Sequence, residues 1–324
     1  MRKKILSISW MIGILLFAFL VYKIGPIRIW ENIKNLTLLK FLILFLLHFL
    51  YFVFRTLNWK IIFEKYEEKV SFNHLIAARI AGDAISYLTP SAYLGGEPVR
   101  AIMAARSNRG KSLASVIIDK TIEILTIVLL IIVGVIIAIT QIPMPNQYKF
   151  LFIMFMIGAT LFALFISIKQ RHGFLLWIVK ALEKIKIRFR FIEKKRDKIE
   201  EIDFHISGFY RDHRKTFLLV FLLYSLEFLF WTGEIFLTLL FINAEGATFL
   251  NSFLITTLGS FVIIMPTIPA SLGTYEVTYV AIFVLLGLGA EVGITLTLIR
   301  RTVGLSWAGI GLLVMLKKRS GESE

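Results

Sequence analysis

Residues 89–110 read TPSAYLGGEPVRAIMAARSNRG, and residues 266–276 read PTIPASLGTYE. Set side by side, residues 90–97 (PSAYLGGE) and 269–276 (PASLGTYE) run alike: a proline, small residues, Leu-Gly, then a glutamate. Each copy interrupts an apolar stretch, the first over about 73–107 and the second over about 248–288. The pieces on either side are short beside the roughly 20 apolar residues that a bilayer crossing needs. Proline removes a backbone donor, and glycine weakens a helix interior, so both stretches read as broken helices.

The remainder of the chain supplies full crossings. Spans are predicted near 5–22, 38–57, 114–139, 149–168, 216–242 and 292–316. With 57% hydrophobic residues and a mean hydropathy of +0.76, the chain is too apolar for a soluble domain. The first run follows Met1-Arg2-Lys3-Lys4 as a signal peptide would, but no small-residue cleavage site follows it, so it reads as a retained span. The chain has no cysteine, which excludes disulfides and thiolate chemistry. Its five scattered histidines form no close pair suited to a metal.

Charge sets the expected orientation, because loops rich in Lys and Arg stay in the cytoplasm. Arg2, Lys3 and Lys4 precede the first span; Lys60, Lys65 and Lys69 follow the second; Arg106, Arg109 and Lys111 precede the third. The segment of about 169–215 is basic and predicted helical, lying against anionic headgroups at the cytoplasmic face. The alternate loops, QIPMPNQ and NAEGAT, are nearly uncharged. Both termini are therefore expected in the cytoplasm, with the protein in the plasma membrane. The net charge of +15 is explained by topology, with no call for nucleic acid. Three full spans separate the two broken stretches, and an odd number reverses the side from which each is reached. The expected fold is all-α and polytopic. About six full transmembrane helices are joined by two re-entrant broken-helix hairpins in an inverted repeat. Residues 1–316 form a single transmembrane domain, followed by a tail over 317–324. Such paired broken helices meet around a substrate, and open backbone at that depth must be buried in protein or line a wet cavity.

Candidate substrate-binding residues follow from this chemistry. Pro90, Gly95, Gly96, Pro269 and Gly273 break the helices and let backbone approach a ligand. Arg100 is placed to grip a phosphate. Glu97 and Glu276 are placed to orient arginines or to bind a cationic or hydroxylated headgroup. A half-helix starting near Thr274 points its N-terminus at the break. Within the spans, Arg300 lies ~12 Å in from one side and Glu227 roughly 16 Å from the other, near one level. Glu234, seven residues on, shares the face of Glu227. Asp119 and Glu123 lie one turn apart. These four carboxylates are read as proton-coupling groups or fixed ion pairs. Successive helical residues point about 100° apart, so Arg300 is expected to face Glu227 or Glu234 while Arg301 turns elsewhere. Arg55 is expected to snorkel from the inner end of its span, and His48 to be a packed core residue.

GGEPVRA at 95–101, PASLGTYE at 269–276, the LIRR arginine ahead of Gly311, and Glu234 ahead of NAEG resemble the flippase-like transmembrane domain of lysylphosphatidylglycerol synthases. By its spacing to Gly311, the arginine of that pattern is Arg300. In that family the domain passes an aminoacylated phospholipid between leaflets, and a separate cytoplasmic domain makes the lipid. Here the sequence stops at Glu324, so a stand-alone member without aminoacyltransferase activity is expected. No GxxxxGK[ST] loop is present, and no cofactor is expected. The resemblance implies a flippase or scramblase. Its partner would be a membrane phospholipid or a polyprenyl-phosphate-linked lipid, and a homo-oligomer is compatible with this architecture. An integral-membrane enzyme acting on lipid phosphates, or a membrane scaffold for a separate synthase, are the alternatives.

Overall fold

The computed structural model describes residue 19 and residues 21–66, 70–89, 95–105, 108–184, 195–261 and 272–321. Regular structure among the described residues is helical throughout. The helices are α1 (Pro26–Ile33), α2 (Leu38–Phe63), α3 (Phe72–Leu88), α4 (Glu97–Ala104), α5 (Arg109–Gln141), α6 (Asn146–Gln170), α7 (Phe174–Lys184), α8 (Arg196–Asp212), α9 (Arg214–Phe241), α10 (Phe249–Gly259), α11 (Thr274–Leu285) and α12 (Ala290–Gly321). Five helices among the described residues are long and apolar enough to cross a membrane: α2, α5, α6, α9 and α12. They correspond to five of the six expected spans. The sixth, 5–22, falls almost wholly outside the described residues, as do Pro90, Pro269 and most of both interruptions.

Local chemistry fixes where these helices start. Thr37 caps α2 by accepting from the Lys40 N–H, and Thr248 caps α10 by accepting from that of Asn251. Asn108 caps α5, its side-chain oxygen accepting from Gly110 at 2.6 Å and Lys111 at 3.0 Å. At α11 the cap is Gly273, at φ 82°, a left-handed conformation that a side chain would strain. The Glu276 carboxylate accepts from the Gly273 N–H at 2.7 Å, as the returning half of a capping box.

Contacts fix which ends share a face. Lys111 Nζ donates to the Tyr66 carbonyl and Tyr66 OH donates to that of His205, so the end of α2, the start of α5 and helix α8 lie together on the basic face. On the opposite face Lys40 Nζ donates to the Phe241 carbonyl, and Met144, Leu254 and Leu286 form one cluster. The two broken stretches appear as helix pairs, α3 with α4 and α10 with α11, of 17, 8, 11 and 12 residues. Within each pair the helices pack on each other. Val70 and Leu75 cluster with Ala101 and Ala104, which brings the ends of the first pair together. Helix α12 lies along α3 and α11, and so links the two pairs.

The basic segment is tied down rather than free. Ile202, Ile206, Phe209 and Tyr210 of α8 pack with Ile118 and Ile122 of α5 and Tyr224 of α9. Asp203 accepts from the Leu175 and Leu176 N–H groups, anchoring the start of α7. Helix α6 buries only Gln170, whose amide donates to Thr121. Much of its outer surface is apolar, with Phe150, Leu151, Met154, Leu161 and Phe162 exposed, and suits lipid.

The seam of the first pair has no room to spare. A Cβ on Gly96 would stand 1.7 Å from the Gly82 carbonyl oxygen and 2.8 Å from Ser86 Oγ. Gly96→Ala is therefore expected to cost about 1–3 kcal/mol or more, since the obstacle is backbone. Gly158→Ala on α6, where a Cβ meets nothing within 4 Å, is expected to be neutral or to stabilise by under about 1 kcal/mol. Thermal unfolding of both variants in one detergent checks the contrast; equal midpoints would mean that the seam relaxes freely.

Candidate functional site

Helices α2 and α9 run antiparallel and meet in three rungs. His48 Nδ1 lies 3.7 Å from Glu234, the rings of Tyr51 and Trp231 are 6.3 Å apart, and Arg55 Nε lies 3.9 Å from Glu227. The outer rungs are seven residues apart on each helix, so two polar layers lie ~10 Å apart along the bundle.

The layer nearer the basic face is a closed ionic network. Asp119, fully buried, receives the guanidinium groups of Arg79 and Arg100, both at 2.9 Å, and the hydroxyl of Tyr224 at 2.6 Å. The Trp59 ring lies against both arginines, at 5.4 and 4.6 Å. Arg79 also donates to the Arg55 carbonyl, and Arg100 pairs with Glu97 at 3.1 Å. Arg55 faces three carboxylates: Glu123 at 2.5 Å, Asp83 at 3.4 Å and Glu227 at 3.9 Å. Lys120 joins Glu123 at 3.1 Å and Glu97 at 3.9 Å. Burial of so many ions is tolerated only because each is paired.

The second layer lies about 10–15 Å from the other ends of α2, α9 and α12. Arg300 donates to Tyr275 OH at 3.1 Å, stacks 5.2 Å from the Trp231 ring, and stands 3.8 Å from Glu234. Arg301 makes a tight ion pair with Glu276, two of its nitrogens donating to the same carboxylate oxygen. Glu276 is fully buried, so this pair clamps α12 to the capped start of α11.

Between the layers lies a cavity of about 200 Å³. Its charged lining is Arg55, Lys120, Arg300 and Arg301 against Asp83 and Glu123. The walls are aromatic: Tyr51, Tyr87, Trp231, Tyr275, Tyr279 and Trp307. His48 and Gly259 also reach it. Four cations and two carboxylates among aromatic rings form a lining that can hold an anionic group attached to an apolar body, with Glu227, Glu234 and Glu276 pairing Arg55, Arg300 and Arg301 from behind the wall.

Several expectations from sequence are refined here. Glu234, not Glu227, faces Arg300; Glu227 goes to Arg55 and Asn58. Arg300 and Arg301 both line the cavity, because the wall wraps around α12 and admits side chains about 100° apart. Arg55 does not snorkel: it is 6% exposed and held by three carboxylates on three other helices. His48 lines the cavity instead of packing in a dry core. Arg100 stands behind the wall, 1% exposed and engaged by Asp119 and Glu97. Gly96 spends its missing Cβ on Gly82, while Gly95 lies beside it in the turn ahead of α4. Sequence reasoning missed Arg79 and Asp83. The available signal was two charges four residues apart in the apolar run LIAARIAGDAISYL.

Residues 6–311 match the family described as lysylphosphatidylglycerol synthase TM region. A UPF0104 membrane protein of Pyrococcus horikoshii is 25% identical, the match covering 98% of each chain. A UPF0104 membrane protein of Methanothermobacter thermautotrophicus is 24% identical, over 92% of this chain and 90% of the relative. No solved structure matches. The chain belongs to the lysylphosphatidylglycerol synthase TM region family and is a multi-pass membrane protein.

Proposed function

We propose that this protein moves a phosphate-bearing lipid, either a phospholipid or a polyprenyl-phosphate-linked lipid, between bilayer leaflets as a flippase or scramblase. The observation that carries the reading is the cavity: four cations against two carboxylates, walled by aromatic rings and seated between two broken helix pairs. A phosphate diester needs a charge-assisted grip once it leaves water, and guanidinium groups supply it. The headgroup would pass from Arg55 and Lys120 in one layer to Arg300 in the other, its tails remaining in lipid. On this reading the α3–α4 and α10–α11 pairs are re-entrant hairpins of an inverted repeat. The basic face is cytoplasmic, and the membrane is the plasma membrane. The family's name concerns a lipid synthase, and that connection supports a lipid as the cargo.

The test is a leaflet assay. Purified protein is reconstituted into vesicles of phosphatidylglycerol and phosphatidylethanolamine with a trace of head-labelled phosphatidylglycerol, and dithionite reports inward-facing label. Wild type is expected to expose the inner pool, and Arg300→Ala to slow this by about ten- to a hundred-fold, the worth of a charged hydrogen bond. A wild-type rate equal to that of empty vesicles, repeated with a labelled polyprenyl phosphate, would remove lipid translocation as the function.

A further inference from the structure

Two arginine–glutamate pairs stand side by side at the cavity and differ in one respect. Arg301 and Glu276 are closed by direct hydrogen bonds. Arg300 and Glu234 are held open: Arg300 Nη1 is 3.8 Å from Glu234 Oε1, and His48 Nδ1 is 3.7 Å from Glu234 Oε2. Arg300 Nη1, Glu234 Oε2 and His48 Nδ1 are all buried atoms with no hydrogen-bond partner. Three polar atoms thus converge on gaps too long for hydrogen bonds, a costly arrangement for a group that serves only to hold helices together.

We propose that Arg300, Glu234 and His48 form an anion–proton exchange site. A phosphate group entering the cavity takes Arg300 from Glu234, and Glu234 takes one proton from cavity water by way of His48. The proposal rests on the reading of the cavity as a headgroup site and adds what that site exchanges. Arg300 and His48 line the cavity, whereas Glu234 stands behind them, so the anion meets the arginine and the proton meets the histidine before either reaches the carboxylate. No bond of the phosphate changes. One O–H bond forms on Glu234 as the Nδ1–H bond of protonated His48 breaks, the imidazole having taken that proton from a buffer acid through cavity water, and the reverse happens when the anion leaves.

The other cation at this level, Arg301, is closed on Glu276, which leaves Glu234 with Arg300 and His48. From α2 only His48 faces it, with Arg55 two turns away in the other layer. From α12 it meets Arg300, whose second partner is Tyr275 of α11. Helix α10, packed on α9, carries no titratable residue, and α5 carries none beyond Glu123. Helix α8 touches α9 at the basic end. A carboxylate in this position that loses Arg300 has a proton as its remaining means of neutralisation.

The test measures protons, using full-length protein in detergent and phosphodiesters, whose own charge is constant near neutrality. Dimethyl phosphate supplies the bare headgroup chemistry; dihexanoyl phosphatidylglycerol supplies it on a lipid. Calorimetric titration in two buffers of different ionisation heat gives the protons taken up per anion bound. The expected result is uptake of about one proton with at least one diester. Uptake with the lipid alone assigns the site to lipid headgroups; uptake with both assigns it to the phosphate itself. Glu234→Gln should bind the diester with no uptake, and His48→Gln should retain uptake at equilibrium. Binding by wild type without proton uptake overturns the exchange, as does no binding of either diester. Uptake that survives in Glu234→Gln but vanishes in His48→Gln overturns the assignment to Glu234. The wild-type titration decides the exchange even if a variant fails to fold. Lipid movement in the leaflet assay without proton uptake here would sink the exchange and leave the transport reading standing.

Discussion

Asp119→Ala is expected to unfold the protein or to cost on the order of 3–5 kcal/mol, because it leaves two buried guanidinium groups without their shared carboxylate. Arg79 and Arg100 are 0% and 1% exposed, and both reach Asp119 at 2.9 Å. Neither can turn to water, since the Trp59 ring and the packed ends of α3, α4 and α5 surround them. Tyr224 loses its acceptor as well, freeing α9 from the same point. Asp119→Asn keeps the shape but not the charge, and is expected to recover only a minor part of the loss. Asp212→Ala is the control: Asp212 pairs with Arg211 in the open, where solvent and salt screen the pair, and its loss is expected to leave the midpoint unchanged. Thermal unfolding and size-exclusion profiles in one detergent measure all three. An Asp119→Ala protein as stable and monodisperse as wild type would mean that the network is wet, not buried.

The same network shows where reading the chain stops. Crossing helices were legible because twenty or more apolar residues in a row have one physical use. The start of α5 at Arg109, five residues before the expected 114, was less so, since its first turns carry polar residues and the helix packs on α8. Individual charges at membrane depth could be picked out and ranked as costly. Their pairings could not, because a partner is chosen by the bundle and not by the chain. Arg55 illustrates this: eight residues from the end of α2, it could reach water, yet carboxylates from α3, α5 and α9 arrive first. Glu227 and Glu234 were recognised as one face from their spacing of seven. His48 and Arg55 share that spacing on α2 and answer them rung for rung. The glycine-rich turns were legible as breaks, but their steric use was not. Gly96 is filled by Gly82 of its own helix pair, which a sequence has no means of displaying.

Arg300→Ala and Arg301→Ala should fall in opposite orders in two assays, although the residues are neighbours and both line the cavity. Arg301 is closed on Glu276, a fully buried carboxylate that also caps α11 through the Gly273 N–H at 2.7 Å. Removing Arg301 strands that carboxylate; removing the carboxylate, as Glu276→Ala, strands the arginine and uncaps the helix. Each is expected to cost on the order of 3–5 kcal/mol, of which about 1 kcal/mol in Glu276→Ala is the lost cap. The pair Arg301→Met with Glu276→Gln should recover much of the loss, since a neutral amide still accepts from Gly273. Arg300 is different. Its distance of 3.8 Å from Glu234 is too long for a hydrogen bond, so less is lost when it goes, and Arg300→Ala should be the more stable of the two alanine variants. In transport the order reverses, because the arginine held open is the one free to take a phosphate. Arg300→Lys should restore part of the rate, keeping the charge without the fork. Unfolding midpoints in detergent and label exposure in vesicles, measured on the same preparations, decide the matter. If both arginines lower the two quantities in proportion, transport is only reporting how much protein is folded, and the distinction between a clamp and a ligand-binding arginine falls.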